Sequence, residues 1–210
     1  MSQPNAVCRR CQQNPARRSE AGDDLLCESC AEAQRSLTVT RVQESRLARL
    51  EAFQTEAGIP PAFYHARLTD FQSGIKADPR RGFRIFGKPR IGKTHFMCAV
   101  GTALILEGYK VRFITVPELI DELRLASQFD RMDCAPKPWT AQKFSTVPIL
   151  LLDDLGTSRE TAFSAESLFT VFNHRLNHRL HLSVTGNISL RELDVRLLGR
   201  LVDMTTEVIL

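Results

Sequence analysis

The chain has 210 residues, 43% of them apolar and 25% charged, with a formal net charge of +4. The length allows one full domain plus a small appendage, with a core large enough to stand without disulfides. No apolar run approaches the roughly 20 residues of a membrane span, and the polar start Met1-Ser2-Gln3-Pro4-Asn5-Ala6 holds no secretory apolar stretch. The expected setting is therefore cytoplasmic, without a membrane partner. The mild positive charge is compatible with nucleic acid but does not argue for it alone.

Four of the six cysteines lie in the first 30 residues, as Cys8-Arg9-Arg10-Cys11 and Cys27-Glu28-Ser29-Cys30. Two C-x-x-C knuckles at this separation have the four-cysteine zinc spacing. Four soft thiolates close a tetrahedral structural site with no open position for catalysis. The stretch between them is polar (Asn14-Pro15, Ala21-Gly22-Asp23-Asp24) and could form no core without metal. A redox dithiol pair is the competing reading. Residues 1–34 are thus expected to bind zinc through Cys8, Cys11, Cys27 and Cys30. Their balanced charge leaves protein and nucleic-acid partners equally open.

Residues 31–57 read as helical, with Leu47, Leu50 and Phe53 as an apolar stripe. This helix is either a connector or a docking element. Gly58-Ile59-Pro60-Pro61 ends it, since proline cannot continue a helix. Residues 35–58 are expected as a linker and 59–210 as the main domain. There the pattern alternates: strand 83–86, helix 93–107, strand 109–114, a helix opening at Pro117, strand 147–152, helix 163–180 with Ser164 as its cap, strand 181–185, and a last helix from Ser189 to about Leu201. Residues 129–146 are mixed, with the only tryptophan, Trp139. Alternation of this kind predicts an α/β parallel sheet flanked by helices.

The chemistry sits at the strand ends. Gly87-Lys88-Pro89-Arg90-Ile91-Gly92-Lys93-Thr94 fits the phosphate-binding loop G-x-x-x-x-G-K-[ST], between a strand and a helix as that loop requires. Its N–H groups would converge on phosphates, Lys93 would bridge the outer ones, and the Thr94 hydroxyl would sit on Mg²⁺. Strand 147–152 ends in Asp153-Asp154, at the strand tip where α/β sheets bind ligands. Asp153 would hold Mg²⁺ through water, and Asp154 would orient or deprotonate the attacking water; a polar turn is the bland reading of the pair. Asn187, after the next strand, is either a hydrogen-bond donor to the γ-phosphate or its water, or a turn residue.

These motifs, in this order and spacing, resemble the AAA+ helicase loaders of the DnaC/DnaI type and the related IstB transposition ATPases. Gly58-Ile59-Pro60-Pro61-Ala62-Phe63, Gly92-Lys93-Thr94-His95, Phe172-Asn173-His174-Arg175 and Arg196-Leu197-Leu198-Gly199-Arg200-Leu201 add to the likeness. It covers roughly residues 58–210. A four-cysteine segment ahead of such a core is similar to the DnaI branch. The resemblance implies a P-loop AAA+ fold lacking a full helical lid. It also implies a nucleotide set of Gly87, Lys88, Pro89, Arg90, Ile91, Gly92, Lys93, Thr94, His95 and Asp153, with Mg²⁺ on Thr94 and Asp153. Catalysis would fall to Asp154, to Asn187 as first sensor, and to Arg200 as an arginine finger reaching a neighbour's ATP. Arg196 competes for that last role.

The implied function is an ATP-dependent loader that binds a replicative hexameric helicase, grips single-stranded DNA and self-assembles into a ring or spiral. The basic residues Lys76, Arg80, Arg81, Arg84, Lys88 and Arg90 are the candidate DNA contacts. An IstB-like transposition helper and a weakly hydrolysing zinc adaptor are the alternatives. Arg90 stands where the family prefers glycine. Either it alters nucleotide handling or its side chain points to solvent.

Overall fold

The computed structural model describes residues 7–13, 17–18, 25–71, 76–129, 140–156 and 161–210. Asn14-Pro15, residues 21–24, Cys134 and Trp139 lie outside the described residues. The chain divides into two units, Met1–Arg49 and Leu50–Leu210.

In the first unit, β1 (Arg17–Arg18) pairs antiparallel with β2 (Leu25–Leu26), between the two knuckles. Helix α1 (Glu28–Ala57) starts three residues earlier than the sequence suggests. The second knuckle supplies its first turn: the Ala31 N–H donates to the Cys27 carbonyl at 2.9 Å. Its other end stops as the Gly-Ile-Pro-Pro run dictates. Gly58 takes a left-handed φ of 82°. The Ile59 and Gly58 N–H groups then close back on the Gln54 and Thr55 carbonyls, both at 3.0 Å, in the paired pattern of a glycine helix stop.

The second unit opens with the last turns of α1, where fully buried Gln54 donates to Thr102 Oγ1 at 2.8 Å. The elements that follow are β3 (Gly82–Phe86), α2 (Lys93–Leu106), β4 (Val111–Thr115), α3 (Val116–Phe129), α4 (Ala141–Thr146), β5 (Ile149–Leu155), α5 (Ala162–Asn177), β6 (His181–Gly186), α6 (Val195–Met204) and β7 (Thr205–Glu207). The sheet order is β4-β5-β6-β3-β7, with every pairing parallel. This is the expected α/β architecture. The order puts β6 between the strand that leads into the phosphate loop and the strand that carries the carboxylates.

Alternation along the strands explains the apolar run in β5. Leu150 and Leu152 enter one cluster, with Ile114, Leu119, Phe144, Leu168, Phe172 and Leu197. Ile149 and Leu151 enter the other, with Ile59, Phe83, Phe96, Met97, Val100 and Phe113. Both faces of the sheet are covered, so this run of β5 is apolar on both sides, while the buried polar side chains of β6 (His181, Ser183 and Thr185) are each hydrogen-bonded.

Two local expectations are corrected, and one strand is new. Thr161, not Ser164, caps α5: the Ser164 N–H donates to Thr161 Oγ1 at 3.2 Å while Ser164 Oγ accepts from the Thr161 N–H at 2.8 Å. The last helix is broken. A 3₁₀ turn (Leu190–Glu192) comes first, and Asp194 then caps α6 through the Arg196 N–H at 2.8 Å. Residues after α6 form β7, an edge strand beside β3, with Val208 buried.

One buried cation ties the helices to the sheet. Arg175 is fully buried. It donates to the carbonyls of Phe144 (2.8 Å), Ser145 (3.4 Å), Pro148 (3.1 Å) and His181 (3.2 Å from Nε). Its partners are carbonyl dipoles rather than a carboxylate, and burial lowers its pKa to about 9, which still leaves it charged at neutral pH.

Candidate functional site

The phosphate loop is built by the elements on either side of it. The Gly87 N–H donates to the Gly186 carbonyl at 3.3 Å, anchoring the start of the loop to the end of β6. Gly92 takes φ 95° and the Phe96 N–H closes the first helical bond on its carbonyl at 2.9 Å. Helix α2 buries residues on all sides (Phe96, Met97, Cys98, Ala99, Gly101 and Thr102), so its N-terminus is held firmly under the loop. Lys88, Pro89, Arg90 and Ile91 are exposed at the loop tip. Arg90 has a left-handed φ of 67°, the conformation that favours glycine. The side chain points to solvent, as one of the two sequence readings has it.

Lys93 is buried, and its ammonium donates to the carbonyls of Gly87 at 3.0 Å and Lys88 at 2.8 Å, inside the curl of the loop. Thr94 Oγ1 donates to Asp153 Oδ2 at 2.9 Å. Asn187 Nδ2 donates to Asp154 Oδ1 at 3.1 Å. The fold thus brings Lys93, Thr94, Asp153, Asp154 and Asn187 together from three strand ends.

The carboxylates are aimed by an irregularity in β5. Leu152 pairs with Val184 and Leu155 with Gly186, so β5 uses one residue more than β6 over this span. The extra residue is a bulge, a device that re-aims side chains beside functional sites. Asp154 absorbs it with a φ of 61°. Thr185, which sequence reasoning passed over, faces the bulge. Its hydroxyl donates to Asp153 Oδ1 and accepts the Asp154 N–H at 3.3 Å. Its signal was position: a hydroxyl two residues before Asn187 on the strand next to the carboxylates. Burial raises the pKa of Asp153, opposed by the Thr185 and Thr94 hydrogen bonds. A hydroxyl and a buried carboxylate in contact form an all-oxygen donor set that fits Mg²⁺.

His95 packs against residues that precede β3. Its ring meets Phe71 edge-on at 5.2 Å, and Nε2 lies 3.5 Å from Asp70 Oδ2. Arg200 is held on α6 by Asn173, Phe169 and the Arg196 carbonyl, none of them loop residues. Of the basic residues, Arg84 is occupied at the sheet edge, donating to Thr205 O at 2.9 Å and Glu207 Oε2 at 3.1 Å. Lys76, Arg80, Arg81, Lys88 and Arg90 are exposed.

In the first unit, the sulfurs of Cys8, Cys11, Cys27 and Cys30 all lie within 4.8 Å of one another. Cys11 and Cys27 are 3.6 Å apart. Four thiolates at about 2.3 Å from one zinc have sulfurs about 3.8 Å apart, so the cluster fits that ion. The N–H groups of Cys11 and Cys27 point at the Cys8 sulfur and lower its pKa to about 6, which favours the ligating thiolate. Among the described residues no helix is long and apolar enough to cross a membrane.

The family model of IstB-like ATP binding proteins matches residues 76–208. The chain is 27% identical over 169 residues to the insertion sequence IS5376 ATP-binding protein of Geobacillus stearothermophilus, covering 80% of this chain and 65% of that protein. It is 28% identical over 128 residues to the replicative helicase loader DnaI of Bacillus subtilis (strain 168), covering 60% of this chain and 40% of the relative. The chain therefore spans between two fifths and two thirds of these relatives. Among solved structures, the DnaC helicase loader superposes with a TM-score of 0.55 at 20% identity, over 70% of this chain and 98% of that one. DnaI superposes with a TM-score of 0.58, also at 20% identity, over 71% and 93%. At that identity the two superpositions speak to the fold. Because the family match runs from before β3 to the end of β7, with the loop, both carboxylates and Asn187 inside it, the chain belongs to the IstB-like ATP-binding protein family, whose fold the DnaC and DnaI loaders share.

Proposed function

We propose that this protein is an ATP-dependent loader that binds a replicative DNA helicase and helps place it on single-stranded DNA, in the cytoplasm. Residues 1–34 form a zinc-binding segment, 35–58 a linker and 59–210 the ATPase domain. The observation that carries the loader reading is the four-thiol cluster ahead of the ATP-binding core, the arrangement of the DnaI branch.

ATP would lie with its phosphates in the loop. Lys93 would leave the Gly87 and Lys88 carbonyls for the β- and γ-phosphates. Thr94 and Asp153 would hold Mg²⁺, which when bound neutralises phosphate charge. Asp154 accepts a proton from the attacking water as oxygen attacks the γ-phosphorus and the bond to ADP breaks. Asn187 fixes the carboxylate that does so. Arg200 of a neighbouring copy stabilises the charge on the transferring group, so turnover is slow alone and faster in a ring or spiral. Lys76, Arg80, Arg81, Lys88 and Arg90 supply phosphate contacts to DNA, and binding weakens steeply with salt.

Lys93→Ala is expected to weaken ATP binding by about 100-fold. Asp154→Asn should keep ATP binding and lower hydrolysis by about 100-fold or more. Parent-rate turnover by Asp154→Asn would overturn the catalytic assignment. The partner is tested by co-purification with a replicative helicase, with and without residues 1–49. A second reading, a transposition helper acting with a transposase on duplex DNA, is favoured by the longer match to the insertion-sequence protein. Recovery of transposase in place of helicase would establish it.

A further inference from the structure

Beside the apolar contact of α5 with α6, four further side chains come together. Phe169 and Asn173 stand one turn apart on α5, and Arg196 and Arg200 one turn apart on α6. The Arg200 guanidinium lies 4.1 Å over the Phe169 ring. Its Nε and Nη2 donate to Asn173 Oδ1 at 3.1 and 3.0 Å, and its Nη1 donates to the Arg196 carbonyl at 3.0 Å. Only the oxygen of an amide accepts hydrogen bonds from a guanidinium, so the orientation of Asn173 follows from its partner.

Counting donors shows what this arrangement leaves. A guanidinium has five N–H groups, and three are used here. The two that remain are one on each terminal nitrogen. Each can still donate to an oxygen of a phosphoryl group. The contacts therefore fix the side chain while leaving two donors for a phosphate. They are also neutral: an amide oxygen, a carbonyl and an aromatic face. Arg196 differs, with Nε and Nη2 at 3.3 and 3.4 Å from the two carboxylate oxygens of Asp194, so its charge is compensated. A group that stabilises charge developing in a transition state must be oriented beforehand and must keep its own charge. Arg200 meets both conditions with no carboxylate among its contacts, whereas the field of Arg196 is partly offset by Asp194.

We infer that Asn173, with Phe169 behind it, is a positioning residue that presents Arg200 to the γ-phosphate of ATP bound by a neighbouring copy of the chain. This rests on the reading of Arg200 as a finger acting between copies. It also divides the work within Phe172-Asn173-His174-Arg175: Phe172 and Arg175 are buried in the core, and Asn173 faces α6.

The test uses the full chain with MgATP and a single-stranded oligothymidylate, at concentrations where it assembles. Arg200→Ala is expected to lower kcat by about 10³-fold. Asn173→Leu removes the acceptor and should lower kcat about tenfold with the KM for ATP unchanged. In the Arg200→Ala background the same substitution should add nothing, because both changes act through one group. The ¹⁵N Arg200 Nε–H resonance should exchange slowly in the parent and rapidly in Asn173→Leu. Asn173→Asp, which keeps the shape and the acceptor, should preserve slow exchange yet lower kcat by cancelling the charge, and it carries the test should Asn173→Leu fail to fold. Parent kcat for Asn173→Leu, with Arg200→Ala inactive, overturns the positioning role alone. An equal loss in both backgrounds assigns Asn173 to structure only. Parent kcat for Arg200→Ala overturns the finger reading itself.

Discussion

Among the described residues of Met1–Arg49, the buried side chains are two, Cys8 and Cys27. Leu50–Leu210 instead buries two apolar clusters, one on each face of a five-stranded sheet. The contrast separates two ways of offsetting chain entropy. The larger unit does it by taking apolar area out of water, which needs no ligand. Among its described residues the smaller buries only two of the four clustered cysteines, whose geometry fits a metal ion and offers a different source of order.

The largest expected effect breaks the comparison at that point. Changing Cys8 and Cys11 together to Ser, or chelating the metal, should remove one zinc per chain by elemental analysis. It should also remove about 10 kcal/mol or more of folding free energy from the first unit, the scale of zinc binding in small modules. The thermal midpoint and ATP binding of the second unit should not move. Loss of both units together under chelation would mean that they do not differ in this way.

Next comes Arg175, the largest of the polar side chains buried in the larger unit. Arg175→Met fills similar space but orphans the carbonyls of Phe144, Pro148 and His181. The expected cost is about 3–5 kcal/mol, read from denaturant midpoints. A neutral outcome would show that packing alone holds α4, α5 and β6.

His181 gives a smaller effect with a definite sign. Its Nδ1 lies 2.9 Å from the Asp78 carbonyl, which can only accept, so Nδ1 carries the proton and Nε2 accepts from Ser183 Oγ at 2.7 Å. Burial, with the nearby Arg175 charge, lowers its pKa to about 4 against the Asp78 contacts. Above pH 6.5 both folded and unfolded histidine are neutral and nothing is contributed. Between 6.5 and 4 only the unfolded state takes the proton, so stability falls with pH, by about 3 kcal/mol in all. Comparing the parent with His181→Gln at pH 7 and pH 4.5 isolates this loss, and an equal acid sensitivity in both would remove His181 as its source.

What the sequence disclosed and what it hid follow the same division. Loop, carboxylates and knuckles were legible because their chemistry demands fixed residue types at fixed spacings. Asn187 was legible by its place after a strand. Arg175 was not read as buried because charge normally marks a surface position. Yet Leu168, Val171, Phe172 and Arg175 follow the i, i+3, i+4, i+7 stripe of one helix face, which was the available signal. Strand β7 is short and polar on its exposed positions, and only pairing with β3 makes it a strand. Thr185 and Asn173 act through partners 32 and 27 residues away in the chain, contacts that no local pattern encodes.

The smallest effect concerns the loop itself. An L-residue in the left-handed region costs about 1–2 kcal/mol, and Arg90 bears that cost at φ 67°. Arg90→Gly relieves it but gives the unfolded chain extra freedom, worth about 0.5–1 kcal/mol. The two nearly cancel, so stability should rise by less than about 1 kcal/mol. Arg90→Val should go the other way, by about 1–2 kcal/mol, because a β-branched residue tolerates this region worst. The backbone already has the glycine-like conformation and the side chain is exposed, so ATP affinity should change little in Arg90→Gly. A loss of more than tenfold in an ATP titration would show that the Arg90 guanidinium itself reaches the nucleotide, making it a ligand rather than a strained bystander.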